Sequence, residues 1–189
     1  AFVLAGDLGL EALSLGALAA EAGLSKSGLF AHFKSTEALQ LDVIEEVRLR
    51  FVEAVIRPAL AKPRGEPRVR AFFDGYLDWI KNGLPNGGCI YMALSHEYDD
   101  RPGPVRDKLV ANQLDLYDTL ARIVQTAIDS GDFRADLDPQ KFVFDFVGIK
   151  MAYQHRSKFL GIAKTYEHAR DAFESLIERS RAHPRITTH

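Results

Sequence analysis

The chain has 189 residues, 47% of them hydrophobic and 26% charged, the balance of a globular protein with one sizeable core or a small domain fused to a larger one. Charges, glycines or prolines break every apolar run well short of the ~20 residues that cross a bilayer, so no membrane partner is expected. The formal net charge of −2 excludes a generally basic surface, and any nucleic-acid contact must come from a localised patch. No signal-peptide pattern opens the chain, and the single Cys89 rules out an internal disulfide. A reducing cytoplasm is the expected setting, with Cys89 a small buried apolar residue.

Turn-forming clusters at 23–25, 62–65, 82–88, 101–104 and 129–132 separate segments whose apolar residues recur at helical spacing. Ala1 falls inside a first helix. Ser14 can cap a second helix whose inward face is Leu15, Leu18, Ala19 and Ala22. Gly23 follows, suited to the left-handed conformation that ends a helix. Ser25 caps a third, short helix; Leu24 and Leu29 are spaced for a hydrophobic staple, and Leu29 and Phe33 bury this helix against the second.

Two short helices joined by a glycine-containing turn make a helix-turn-helix, whose second helix enters the major groove by its N-terminal end. The outward positions are Lys26, Ser27, Gly28, Phe30, Ala31 and Lys34. Ser14, Ser25 and His32 are placed to meet phosphate. Small side chains at Ser27, Gly28 and Ala31 let the backbone approach DNA closely.

Further along, Val69, Phe72, Phe73, Tyr76, Leu77 and Ile80 form one stripe, and Leu109, Val110, Leu114, Tyr117, Leu120, Val124 and Ile128 another. The helix after Pro104 runs to about Ser130, roughly 40 Å at 1.5 Å per residue. Asp138 before Pro139 marks a helix start. Phe142, Phe146, Ile149 and Tyr153 lie on one face of the helix that follows, and Phe144, Val147 and Met151 on another. The last helix spans about 165–181, with Ala169, Phe173, Leu176 and Ile177 on one face. The fold class is all-α with about nine helices, divided near residues 36–39 into 1–37 and 38–189.

Ser14, Leu18, Ala19, Ala22, Gly23, Leu24, Ser25, Leu29, His32, Phe33, Glu37 and Leu39 stand where the DNA-binding domain of the TetR family has its characteristic residues. Residues 1 to about 45 resemble that domain closely; beyond them the likeness is one of helical layout. Departures remove DNA contacts common in relatives: Phe30 replaces Tyr, Gly28 stands where Thr is common, and Thr36 where Lys is common. Lys26 and Lys34 are the only lysines or arginines in residues 1–40, against Asp7, Glu11, Glu21 and Glu37.

The resemblance implies a cytoplasmic, ligand-responsive transcriptional regulator. It would be a repressor that binds a near-palindromic operator in double-stranded DNA as a homodimer, without catalytic activity, metal or cofactor. The larger domain would hold a small-molecule effector among Phe73, Tyr76, Trp79, Ile80, Tyr91, Met92, Tyr98, Tyr117 and Met151, large side chains with a few polar tips. Plain core packing explains each of them equally well, and the effector's charge is open. The dimer would form through Phe142, Phe146, Ile149, Tyr153, Ala169, Phe173, Leu176 and Ile177, the alternative being a thick single-chain core. The acidic loop 97–107 reads as a self-satisfied salt-bridged turn or as a cation site.

Two other classes compete. A helical adaptor or ligand-binding protein that has lost DNA binding fits the sparse positive charge. A di-iron enzyme would need Glu-x-x-His pairs, and none of the six histidines has an acid three positions earlier.

Overall fold

The computed structural model describes residues 1–23, 25–85 and 87–182, leaving aside the side chains of Asp7, Lys26, Phe30 and His32. It is built from helices: α1 Phe2–Leu8, α2 Leu15–Ala22, α3 Lys26–His32, α4 Thr36–Phe51, α5 Glu66–Asn82, α6 Ile90–Tyr98, α7 Pro104–Asp129, α8 Pro139–Gln154 and α9 Thr165–Ser180. Helix α4 continues without a break through a wide turn, Val52–Ile56, into Arg57–Leu60. A second wide turn, His155–Phe159, extends α8. Among the described residues the only β pairing is an isolated bridge between Phe133 and Arg181. None of these helices is long and apolar enough to cross a membrane.

Helix starts follow the expected side-chain chemistry. Ser14, Ser25 and Ser35 each accept a hydrogen bond from the amide three residues on, at 3.0, 3.1 and 3.0 Å. Asp138 accepts from the Gln140 amide at 2.9 Å, with Pro139 in the first turn. Gly23 takes φ 65°, ψ 25°, the left-handed geometry that ends α2 and that a side chain would strain. Helix α7 has 26 residues, about 39 Å.

The chain forms two compact units. Residues Ala1–Ala54 and Trp79–Asp115 make the first, Val55–Asp78 and Leu116–His189 the second. The first unit buries Leu10, Leu13, Leu15, Leu18, Leu29, Leu39, Val43 and Ile44 in one core. Glu97, beyond residue 78 in sequence, helps to hold its N-terminal helices. The second unit centres on a cluster of phenylalanines: Phe73 stacks on Phe173 at 3.8 Å, and Phe146 meets Phe72 and Phe73 edge-on at 5.6 and 5.8 Å. Arg70 joins Glu66 at 2.7 Å and Glu174 at 2.6 Å, tying the start of α5 to α9.

Candidate nucleic-acid interface

Helices α2 and α3 pack through their small apolar faces. Leu15, Leu18, Ala19 and Leu29 are buried, and Phe33, which ends α3, is half-buried. Ala22, expected inward, lies exposed in the last turn of α2, where the chain has already begun to turn away. Because Leu29 holds one side of α3 inward, Ser25, Ser27, Gly28 and Ala31 face solvent, as does Lys34 just beyond the helix. The Ser25 and Ser27 hydroxyls lie 3.2 Å apart, so the start of the helix carries two adjacent hydroxyls beside an uncovered Gly28 backbone. Ser14 is exposed at the start of α2. Leu24, and with it the proposed staple, lies outside the described residues, as do the side chains of Lys26, Phe30 and His32.

The loop between α1 and α2 is held by the first residue of the acidic stretch 97–107. Glu97, in the last turn of α6, accepts from the Leu10 amide at 3.0 Å and from the Glu11 amide at 2.6 Å. Gly9, at φ 83°, lets the carboxylate come this close, since a Cβ there would lie 2.8 Å from its oxygen. Gln40 donates to the Leu10 carbonyl at 2.7 Å, and Arg101 pairs with Glu11 at 2.5 Å. The Arg50 guanidinium lies over the buried Phe2 ring, 4.5 Å from its centre. Nothing in the sequence near Glu97 marks it as the partner of a backbone loop 87 residues away.

Helix α4 is fixed to α7 by charge. Lys108 pairs with Glu45 at 3.0 Å while Arg48 pairs with the same carboxylate at 2.5 Å. The hydrogen bonds from Arg48 and then Lys108 hold the Glu45 carboxyl down to about 2.

The expected ligand residues divide between the two units. Trp79, Ile80 and Tyr91 are buried in the first, with Met92 and Tyr98 half-buried. Asn112, itself buried, lies 3.4 Å from the Tyr91 hydroxyl, which burial pushes well above the usual phenol range. A groove of about 580 Å³ opens beside Trp79, bordered by Leu49, Arg50, Ala54 and Gly83. In the second unit Phe73 and Tyr76 are core, Tyr117 is half-buried, and Met151 is exposed. Lys150, which the apolar stripe had hidden, is 3% exposed; its ammonium donates to the Tyr76 hydroxyl at 2.9 Å and lies 5.6 Å from the centre of the Tyr117 ring.

The expected dimer residues lie mostly inward. Phe142, Phe146, Tyr153, Ala169, Phe173, Leu176 and Ile177 are all buried in the chain's own core, and Ile149 is half-buried. Helical period shows that two faces are apolar but not which one turns inward. The outer face carries Phe144, 72% exposed, and Met151, 43% exposed. Between α8 and α9 a surface groove of about 440 Å³ is lined by small residues, among them Gly148, Ala152, Ala172 and Ser175.

Among the described residues no group of three or more His, Cys, Asp or Glu is placed to hold a metal ion. The family model for bacterial regulatory proteins of the tetR family matches residues 1–43, and that for the tetracyclin repressor-like C-terminal domain matches residues 65–173. No curated relative matches the chain significantly. Among solved structures, a TetR transcriptional regulator from Chloroflexus aurantiacus is similar with a TM-score of 0.86 and 22% identity, over 96% of this chain and 92% of that one. SCO4454, a TetR-family regulator from Streptomyces coelicolor, is similar with a TM-score of 0.81 and 18% identity, over 95% and 90%. AibR in complex with isovaleryl coenzyme A and operator DNA is similar with a TM-score of 0.72 and 22% identity, over 95% and 94%. The chain belongs to the TetR family of DNA-binding, ligand-binding transcriptional regulators.

Proposed function

We propose that the chain is a cytoplasmic repressor that binds a near-palindromic operator as a homodimer and releases it when a small molecule binds the larger domain. The observation that carries this reading is the outward edge of α3. Leu29 is buried while Ser25, Ser27, Gly28 and Ala31 are exposed, so small side chains and open backbone face the side on which such a helix meets base edges. Lys34, exposed just beyond the helix, supplies nearby charge.

A homodimer follows from the economy of contacts. A single α3, with two lysines near it, neutralises few phosphates; two copies about 34–36 Å apart reach successive major-groove faces and double every contact. The outer surface of α8 and α9, with exposed Phe144 and Met151 beside small Gly148, Ala152 and Ala172, supports a helix-on-helix contact with a second copy. AibR, crystallised in complex with isovaleryl coenzyme A and operator DNA, supports by likeness of fold the binding of a small molecule and of DNA. Complete switching from 1:99 to 99:1 requires about 5.5 kcal/mol of differential ligand affinity between the two states, so the ligand must favour one arrangement of the α3 helices over the other.

The test is selection of duplexes from a random pool, followed by gel shift at low and moderate salt. Enrichment of one near-palindromic sequence is expected. The excess of acidic over basic residues in the first forty positions favours a second reading, an adaptor that has lost DNA binding. Absence of binding at every salt concentration, with any native residues before Ala1 present, would select the adaptor.

A further inference from the structure

Helix α3 turns two side chains directly away from the core. At about 100° per residue, Ser27 and Ala31 stand about 160° and 200° round the helix axis from Leu29. Leu29 is 5% exposed while Ser27 and Ala31 are both exposed, so burial agrees with the helical geometry. Residues four apart lie one above the other on the same face. In a helix lodged in the major groove, the line opposite the buried face is the one presented to the base edges.

The chemistry of this pair is restricted. Guanine and adenine are read most firmly by paired hydrogen bonds from Arg, Lys, Asn or Gln, and neither Ser27 nor Ala31 can make them. The Ser27 hydroxyl, 3.2 Å from that of Ser25, both donates and accepts, so it suits any base pair. Ala31 offers only a methyl group. Among the base edges of the major groove one group is apolar, the 5-methyl of thymine, and alanine is one of the side chains that pack against it.

So short a side chain touches a base only where its neighbours let the backbone come near. Gly28, beside the pair, puts nothing outside the backbone; a Cβ there would lie 3.1 Å from the Ser25 oxygen that caps the helix. Residues 1–40 hold no arginine and only two lysines. Few phosphates are neutralised by so little positive charge, so uncharged contacts with the bases must carry more of the affinity.

We infer that Ala31 is a specificity-determining residue: its methyl group packs against the 5-methyl of one thymine in each operator half-site. This rests on the reading of α3 as the helix that meets the bases, and it names the base that Ala31 selects. Cytosine at that position lacks the methyl and presents an amino donor in place of the thymine carbonyl. Deoxyuridine lacks the methyl alone and keeps the pairing with adenine, so it isolates the contact.

The test selects duplexes from a random pool with the full chain and then replaces each thymine of the enriched site singly by deoxyuridine. At one thymine of each half-site the replacement should weaken binding about fourfold, the worth of one buried methyl group. Ala31→Ser, close in size, and Ala31→Gly should bind the thymine duplex about as weakly as the wild-type chain binds the deoxyuridine one. In both variants the same replacement should then change affinity less than about twofold, since the two methyl groups act as one contact. Lys34→Ala should bind every duplex more weakly and keep the full response to deoxyuridine. The assignment of Ala31 falls if the half-sites lack thymine, if deoxyuridine is tolerated at every thymine, or if both Ala31 variants respond as strongly as the wild type. Loss of the response in Lys34→Ala as well would overturn it too, by showing that the effect is not local to Ala31. A pool from which no duplex is enriched at any salt would refute the DNA-binding reading itself; an enriched duplex indifferent to deoxyuridine would refute only the role of Ala31.

Discussion

The carboxylate of Glu97 is bound to the backbone of Leu10: one oxygen accepts from the Leu10 amide at 3.0 Å while the other accepts from Glu11 at 2.6 Å. The loop that launches the helix-turn-helix is thereby anchored by a residue of α6, and its two amides, which no helix satisfies, find charged acceptors. Gln40 completes the arrangement from α4 by donating to the Leu10 carbonyl.

Glu97→Ala should therefore loosen the head more than an ordinary surface change. Loss of hydrogen bonds to a charged acceptor predicts a destabilisation of about 2 kcal/mol, measured as a lower urea midpoint at constant slope. Hydrogen exchange at the Leu10 and Glu11 amides should accelerate in the variant. Unchanged exchange at both would mean that the carboxylate does not hold the loop.

Ser25→Ala removes the oxygen that accepts from the Gly28 amide and should cost about 1 kcal/mol of stability. Ala31→Glu, on the exposed side of α3, should leave the melting temperature nearly unchanged and abolish duplex binding through repulsion of phosphate. Lys34→Ala should weaken binding to all duplexes alike and lower the slope of log K against log salt by roughly 0.9 per recognition helix. A sequence-dependent loss at Lys34 would contradict its role as a phosphate contact.

Stability should depend on pH through Glu45. Arg48 and Lys108 bring its carboxyl from an ordinary 4.5 down to about 2, so the folded form holds the proton less tightly than the unfolded one. The resulting stabilisation is fully present above pH 4.5 and is lost as pH falls towards 2. Thermal melts of Glu45→Gln and wild type should differ most above pH 4.5 and converge towards pH 2. A difference constant across that window would remove Glu45 from the acid response.

Ala152→Glu should separate folding from dimerisation. The side chain is exposed in the groove between α8 and α9, so the chain should keep its helical circular dichroism while sedimenting as a monomer. Phe173→Ala, in the core stack with Phe73, should instead cost about 3–5 kcal/mol of stability. If Ala152→Glu remained dimeric, the outer face of α8 would not be the contact.

Local order along the chain was enough to place the helix-turn-helix, because its signals are short-range. Ser14, Gly23 and Ser25 act on amides or backbone angles within three residues of themselves, and Leu29 reads as inward from its spacing alone. The same applies to the start of α8 at Asp138 and Pro139. Facing direction was harder. Helix α8 is apolar on two sides, and its period could not say that Phe146 joins Phe73 while Phe144 is left outside; only the position of α5 and α9 decides that. Lys150 was missed for the same reason, since a lone lysine in an apolar stripe carries no sign of the Tyr76 hydroxyl 74 residues earlier. The clamp from Glu97 to Leu10 and the salt bridge from Lys108 to Glu45 are likewise properties of three-dimensional neighbours. Caps, turns and helical stripes are written in the order of the residues because the forces that make them reach one turn. Which groups meet across the fold depends on how the helices pack, and no local pattern records it.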